Sequence, residues 1–162
     1  MATDYDCSVE QVHRVLRDKK YWLARLADSG ADEARLNSIK LGTDGSVDVV
    51  TTQVLKSTRL PGLVSQFHHG DLEIQREENW TGLIDEQAHA VVTGSISGAP
   101  VWVTGNGELL PSDGRARLAF RAQVEVRVPL VGGKLENFIG NQLIELLKTE
   151  QRFTTGWIDG DR

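Results

Sequence analysis

Cysteine occurs once, at Cys7, so no disulfide can form within the chain, and the sequence fits a reducing compartment. Proline occurs four times, and with 40% apolar and 25% charged residues the composition is that of a soluble globular protein, not a disordered or collagen-like one. Positive charge is in deficit: 18 Lys and Arg stand against 23 Asp and Glu, a formal net charge of -5. Nucleic acid and anionic membrane both need clustered positive charge, so neither is expected as a general partner. No segment approaches the roughly 18 uninterrupted apolar residues of a membrane span. Residues 1–10 hold two Asp and no apolar leader core, so neither stable membrane insertion nor export is expected. The expectation is a cytoplasmic protein. Its 162 residues suit one domain, 1–162, large enough to bury about two thirds of the surface its unfolded chain exposes.

What the sequence does contain is periodicity. Residues 3–7 read as a short strand that stops at Ser8, and Ser8 with Gln11 three positions on has capping-box spacing. Val9, Val12, Val15 and Leu16 then form an apolar stripe. Asp18 can cap a second helix carrying Tyr21, Trp22, Leu23 and Leu26, which ends at Asp28-Ser29-Gly30. Runs with strand alternation follow at 35–41, 46–56, 71–80, 88–96, 101–110 and 116–128, divided by turn-like segments such as Thr43-Asp44-Gly45 and Pro111-Ser112-Asp113-Gly114. Such short connections imply antiparallel neighbours. The stretch 59–70 breaks this rhythm, and 61–67 is expected to hold a short helix.

After Pro129 and the Gly132-Gly133 pair, apolar side chains recur at Leu135, Phe138, Ile139, Leu143, Leu146, Phe153 and Trp157. At about 100° per residue these fall on one face of a helix, with Asn141, Lys148 and Arg152 opposite. A helix over 133–157 would be roughly 37 Å long, enough to cross a whole sheet. The element order, strand, two short helices, six strands and long helix, is met by an α+β helix-grip fold. In it a curved antiparallel sheet of six or seven strands wraps around the C-terminal helix, and the helix stripe and inner sheet face bury each other.

The segments Asp18-Lys19-Lys20-Tyr21-Trp22-Leu23-Ala24-Arg25-Leu26 and Val128-Pro129-Leu130-Val131-Gly132-Gly133-Lys134-Leu135-Glu136, taken with that order, resemble an uncharacterised bacterial branch of the START-like superfamily, also called SRPBCC or birch-pollen-allergen-like. The resemblance covers nearly the whole chain. It implies a helix-grip fold, but the superfamily includes lipid carriers, hormone receptors, cyclases and chaperone co-regulators, so it does not choose a chemistry.

Catalytic and cofactor motifs fail on spacing. Gly133-Lys134 is followed by Leu135 where a phosphate-binding loop needs Ser or Thr, and Gly105-x-Gly107 continues to Leu110 where a dinucleotide fingerprint needs a third Gly. Gly105 and Gly107 are instead expected to mark a strand kink or close packing. His68-His69-Gly70-Asp71 gathers possible metal ligands, but adjacent residues rarely aim at one ion and no supporting ligand spacing follows, so an exposed loop is expected and no metal. His13 and His89 show no nucleophile or carboxylate partner. No catalytic constellation and no cofactor are expected.

Polar residues on apolar faces carry the remaining signal. In 71–80 the face with Leu72, Ile74 and Trp80 also carries Arg76 and Glu78, which therefore point inward, either pairing with each other or neighbours or meeting a polar ligand group. Gln142 interrupts the helix stripe between Phe138 and Leu146. In the last strand run Arg115, Arg117, Arg121 and Arg127 share a face with Glu125 that reads as solvated. The expected function is binding of a hydrophobic small molecule, lipid or polyketide-like, in a cavity between sheet and helix. Its walls would be Ile74, Arg76, Trp80 and Trp102 on the sheet and Phe138, Gln142 and Leu146 on the helix. Two alternatives stand beside it: a cyclase or hydratase whose general base would be Glu78 or His89, and a partner-binding module with a filled core.

Overall fold

The structure, a computed structural model, describes residues 1–65, 68–130 and 132–160. The chain opens with β1 (Ala2–Tyr5), α1 (Val9–Leu16) and α2 (Lys19–Asp28). The Ser8 side chain accepts from the Gln11 amide and the Asp18 carboxylate from the Lys20 amide, so both helices start at the caps their sequences signal. The Trp22 indole donates to the Leu16 carbonyl at 2.8 Å and fixes α2 against the end of α1.

Next come β2 (Glu33–Leu41) and β3 (Val47–Leu55), then a 3-10 turn (Ser57–Arg59) and the one-turn α3 (Gly62–Ser65), where the helix expected over 61–67 lies; residues 66 and 67 fall outside the described residues. Four more strands follow: β4 (Leu72–Trp80), β5 (Ala88–Ile96), β6 (Val101–Ser112) and β7 (Arg115–Val126). They form one antiparallel sheet in the order β1-β7-β6-β5-β4-β3-β2. The β6–β7 hairpin turns through Asp113 and Gly114, both at positive φ (52° and 76°), the conformation whose twist matches paired strands.

The chain ends in α4 (Gly132–Gly160), 29 residues and so about 43 Å long, which crosses the concave face of the sheet. This is the α+β helix-grip arrangement that the element order predicts. None of the described helices is long and apolar enough to cross a membrane.

The two halves of α4 meet the sheet differently. Toward its C-terminus, Ile158 is buried in a core with Val12, Tyr21, Trp22, Val49, Trp80 and Leu109, and Phe153 and Trp157 stack at 6.0 Å beside Tyr21. At the other end Leu135 is buried in a smaller cluster with Val101 and Val126. Between them the stripe residues Leu143 and Leu146 are only half-buried and Gln142 is exposed. The helix is thus anchored at both ends over a gap.

The sheet floor is shaped by close approach. A Cβ at Gly107 would come within 3.2 Å of the Phe120 ring and 3.3 Å of the Trp80 ring, and one at Gly105 within 3.0 Å of the Arg121 carbonyl. These glycines serve packing of aromatic rings on β6, as their failure to fit a nucleotide motif suggests.

Candidate functional site

Strand alternation turns Leu72, Ile74, Arg76, Glu78 and Trp80 of β4 to the inside, as their spacing predicts. Two charges on an inner face need partners, and the structure supplies them from two helices. The Arg76 guanidinium donates to Glu78 (Nε to Oε1, 2.7 Å) and grips Glu150 of α4 with both terminal nitrogens (2.6 and 2.7 Å). Arg25 of α2 reaches Glu78 at 3.1 Å and forms an ion pair with Glu150. The four side chains are 6–16% exposed and their formal charges cancel.

Neighbours complete the network. Trp80 Nε1 donates to Glu78 Oε2 at 3.2 Å, and Arg25 lies 4.5 Å from the Trp22 ring centre. The Thr154 hydroxyl donates to the Glu150 carbonyl (2.8 Å), which leaves Tyr21 as donor in its 2.7 Å contact with Thr154 Oγ1 and as acceptor from Arg25 at 3.3 Å. Burial pushes the Glu150 carboxyl up to about 7, against the Arg25 guanidinium and with Glu78 adding to the rise. Burial pulls Arg25 down, but Glu150, Tyr21 and Glu78 together hold it above its ordinary value. Burial likewise raises the Tyr5 hydroxyl, with Tyr21 adding to it. The space bordering this network is small: about 60 Å³ beside Tyr5, Glu78 and Trp80, and about 20 Å³ beside Trp22 and Leu146. Volumes of that size suit a few waters.

The large space lies in the gap under α4. It has two lobes of about 420 and 390 Å³ that share Leu55, Arg59, Ile74, Ile96, Val101, Ile139 and Gln142 as walls. The first lobe continues past Leu72, Val126, Val128, Leu135 and Phe138, and the second past Gln53, Val103, Leu143 and Leu146. Volumes of a few hundred Å³ with mostly aliphatic walls are the usual scale of small-molecule sites.

The seven residues expected to wall a cavity divide. Ile74 and Gln142 line both lobes, Phe138 the first and Leu146 the second. Arg76 and Trp80 do not line either lobe; they lie deeper, where ion pairs and the Glu78 hydrogen bond occupy their polar groups. Trp102 is corrected outright. Val101 and Val103 take the inward positions of β6, so alternation places Trp102 on the outer face, 40% exposed, with the Arg127 guanidinium 4.9 Å from its ring centre. Of the two candidate general bases, Glu78 sits in the ion-pair network and His89 is exposed on β5, so neither borders the large cavity.

His68 bonds the Asp71 carbonyl through Nε2 at 3.0 Å, and no cluster of three metal-binding side chains exists among the described residues. His13 is buried with Nε2 2.9 Å from the Thr81 carbonyl, a structural role. Arg25, Gln53 and Glu150 also belong to these sites, beyond the residues expected from sequence. Glu150 follows Leu146 and precedes Thr154 by four positions each, so it breaks the helix stripe in the same way as Gln142 and was open to the same argument.

The chain belongs to the family described as protein of unknown function DUF2505, which matches residues 1–158. It is 46% identical over 98% of its length to the uncharacterized protein Rv0481c of Mycobacterium tuberculosis, of which the match covers 94%. Among solved structures it is similar to TTHA0849 of Thermus thermophilus (TM-score 0.65, 14% identity, 99% of this chain and 96% of that one). It is also similar to a START superfamily protein of Mycobacterium smegmatis (0.55, 11%, 100% and 97%) and to a STAR-related lipid transfer protein of Xanthomonas axonopodis (0.55, 12%, 98% and 83%). These likenesses show that the chain shares the START-like helix-grip fold.

Proposed function

We propose that residues 1–162 act as one START-like domain that binds a hydrophobic small molecule, lipid or polyketide-like, in the two-lobed cavity under α4. The observation that carries this reading is the gap itself. A helix with a largely apolar stripe crosses the inner sheet face, yet Ile139, Leu143 and Leu146 stay half-buried around lobes of about 420 and 390 Å³. Apolar surface held open in this way gains by taking up an apolar guest, at roughly 25 cal/mol per Å² removed from water. The similarity to a protein named for lipid transfer supports the same reading. Ile74, Phe138, Gln142 and Leu146 are the wall residues assigned to the ligand.

Native mass spectrometry of protein purified under mild conditions tests for a co-purified hydrophobic guest. A titration with the neutral fluorophore N-phenyl-1-naphthylamine tests the site. Ile139 borders both lobes, so Ile139→Trp should fill the space and weaken fluorophore binding at least about fivefold while circular dichroism stays that of the wild type. Saturable binding with unchanged affinity in that variant would move the site elsewhere, and no binding to the wild type would favour a module with a filled core.

A further inference from the structure

The polar groups around the cavity differ in whether they are already engaged. Arg59 borders both lobes, but its Nη1 is 3.2 Å from Asp32 Oδ2 and donates to the Gly30 carbonyl at 2.8 Å. Glu145 is paired with Lys148 at 3.2 Å, and His68 is bonded to the Asp71 carbonyl. The Ser29 and Thr149 hydroxyls donate to the Leu26 and Glu145 carbonyls. Each charge at the walls therefore has a partner, and an anion drawn to Arg59 would meet Asp32 as well.

Two carboxamides and the Ser95 hydroxyl are left over, and Ser95 alternates on β5 with Gly94 and Ile96, which take the inward positions. Gln53 occupies an inward position of β3, paired across the ladder with Ile74, and Gln142 is an exposed residue of α4; both line the second lobe. Neither makes a side-chain hydrogen bond to another described residue. Gln53 is half-buried between Thr51 and Leu55, where an apolar residue would otherwise continue the floor. A carboxamide offers donors and an acceptor without charge, which matches a hydroxyl, carbonyl or amide group. A charged ligand would instead place an unpaired ion among aliphatic walls.

We propose that the ligand is an uncharged amphiphile whose hydroxyl, carbonyl or amide group sits in the second lobe between Gln53 and Gln142, with its hydrocarbon running into the first. This rests on the cavity reading above and adds the ligand class and its two specificity residues. Gln142 alone was visible as an interruption of the helix stripe; Gln53 gains meaning only when β3 and α4 are brought face to face.

The test is displacement of N-phenyl-1-naphthylamine from the full chain at about pH 8 by dodecan-1-ol, dodecanamide and dodecanoate, on wild type, Gln53→Leu and Gln142→Leu. The alcohol and amide should displace at concentrations about tenfold or more below dodecanoate. Each Leu variant should weaken the amide relative to the fluorophore about three- to tenfold, the worth of one neutral hydrogen bond. Should a Leu variant fail to fold, Gln53→Met and Gln142→Met replace it with the same expectation. Dodecanoate binding as tightly as the alcohol, or unaltered amide affinity in both variants while the fluorophore still saturates, would overturn the proposal and leave the cavity reading standing. Absence of saturable fluorophore binding to the wild type would overturn both.

Discussion

Arg76 is the residue whose removal discriminates best between a structural and a ligand-binding use of the inward charges. Its guanidinium makes four of the close contacts that hold Glu78 and Glu150, whose side chains are 6% and 13% exposed. At about pH 8, above the value of about 7 for Glu150, Arg76→Met keeps most of the stem volume but leaves two carboxylates sharing Arg25. Breaking a buried pair by removing one partner costs about 3–5 kcal/mol. At about 2–4 °C per kcal/mol for a chain of this length, the melting temperature should fall by roughly 6–20 °C. Urea unfolding should show the same loss as a lower midpoint with unchanged slope. Combining Arg76→Met with Glu150→Gln should destabilise less than the two single changes added together, by about 1–3 kcal/mol, because the stranded carboxylate is then gone. Since Arg76 borders neither lobe, affinity for a neutral fluorophore should stay within about twofold at a temperature where the variant is folded. A melt within about 2 °C of wild type, together with lost binding, would refute this reasoning and return Arg76 to the ligand.

Glu150 should make stability depend on pH with a definite sign. Burial holds its carboxyl at about 7 against an ordinary 4.5, so the folded state keeps a proton that the unfolded chain has released; the associated stability is full below 4.5 and lost as pH rises through 7. The melting temperature of wild type relative to Glu150→Gln should therefore rise as pH falls from about 7.5 to about 5.5, and a constant difference would show a carboxylate kept ionised by Arg25 and Arg76. On the outer face, Trp102→Ala removes a solvent-exposed contact with Arg127 worth about 0.5–1 kcal/mol. It should lower the melt by a few degrees at most and leave cavity binding unchanged; a binding defect would mean that the outer face takes part.

Local signals carried the fold. Ser8 with Gln11 and Asp18 with Lys20 are caps that act within one turn, so the starts of α1 and α2 could be read without knowing any distant contact. The limits of β5 at Ala88 and Ile96 and the inward facing of Arg76 and Glu78 followed from alternation in the same way. Trp102 shows where such reasoning fails. Alternation gives two faces and does not say which is inner, and the expected place of Trp102 at the cavity wall is taken by Val101 and Val103. Arg25 and Glu150 were out of reach for another reason: their meaning depends on α2, β4 and α4 converging across more than a hundred residues of sequence. A helix stripe broken by one acid does not state which arginines await it.

The ion-pair network and the cavity are best understood as two parts of one helix's packing. A sheet this wide cannot be covered by a single helix with apolar side chains alone if the space between them is to stay open, because each large residue that stabilised α4 would also fill the gap. In this chain the attachment is concentrated near one end, where Glu150 binds both α2 and β4 while Phe153, Trp157 and Ile158 pack against the core. The directional contacts of Glu150 fix the rotation of α4 about its axis, and that rotation is what presents Ile139, Gln142 and Leu146, the farthest about three turns from Glu150, to the lobes. A buried ion pair need not be more stabilising than a well-packed apolar group. Its geometric demand is stricter, however, and orientation is what a half-open helix over a cavity lacks when side-chain packing is withheld from its middle.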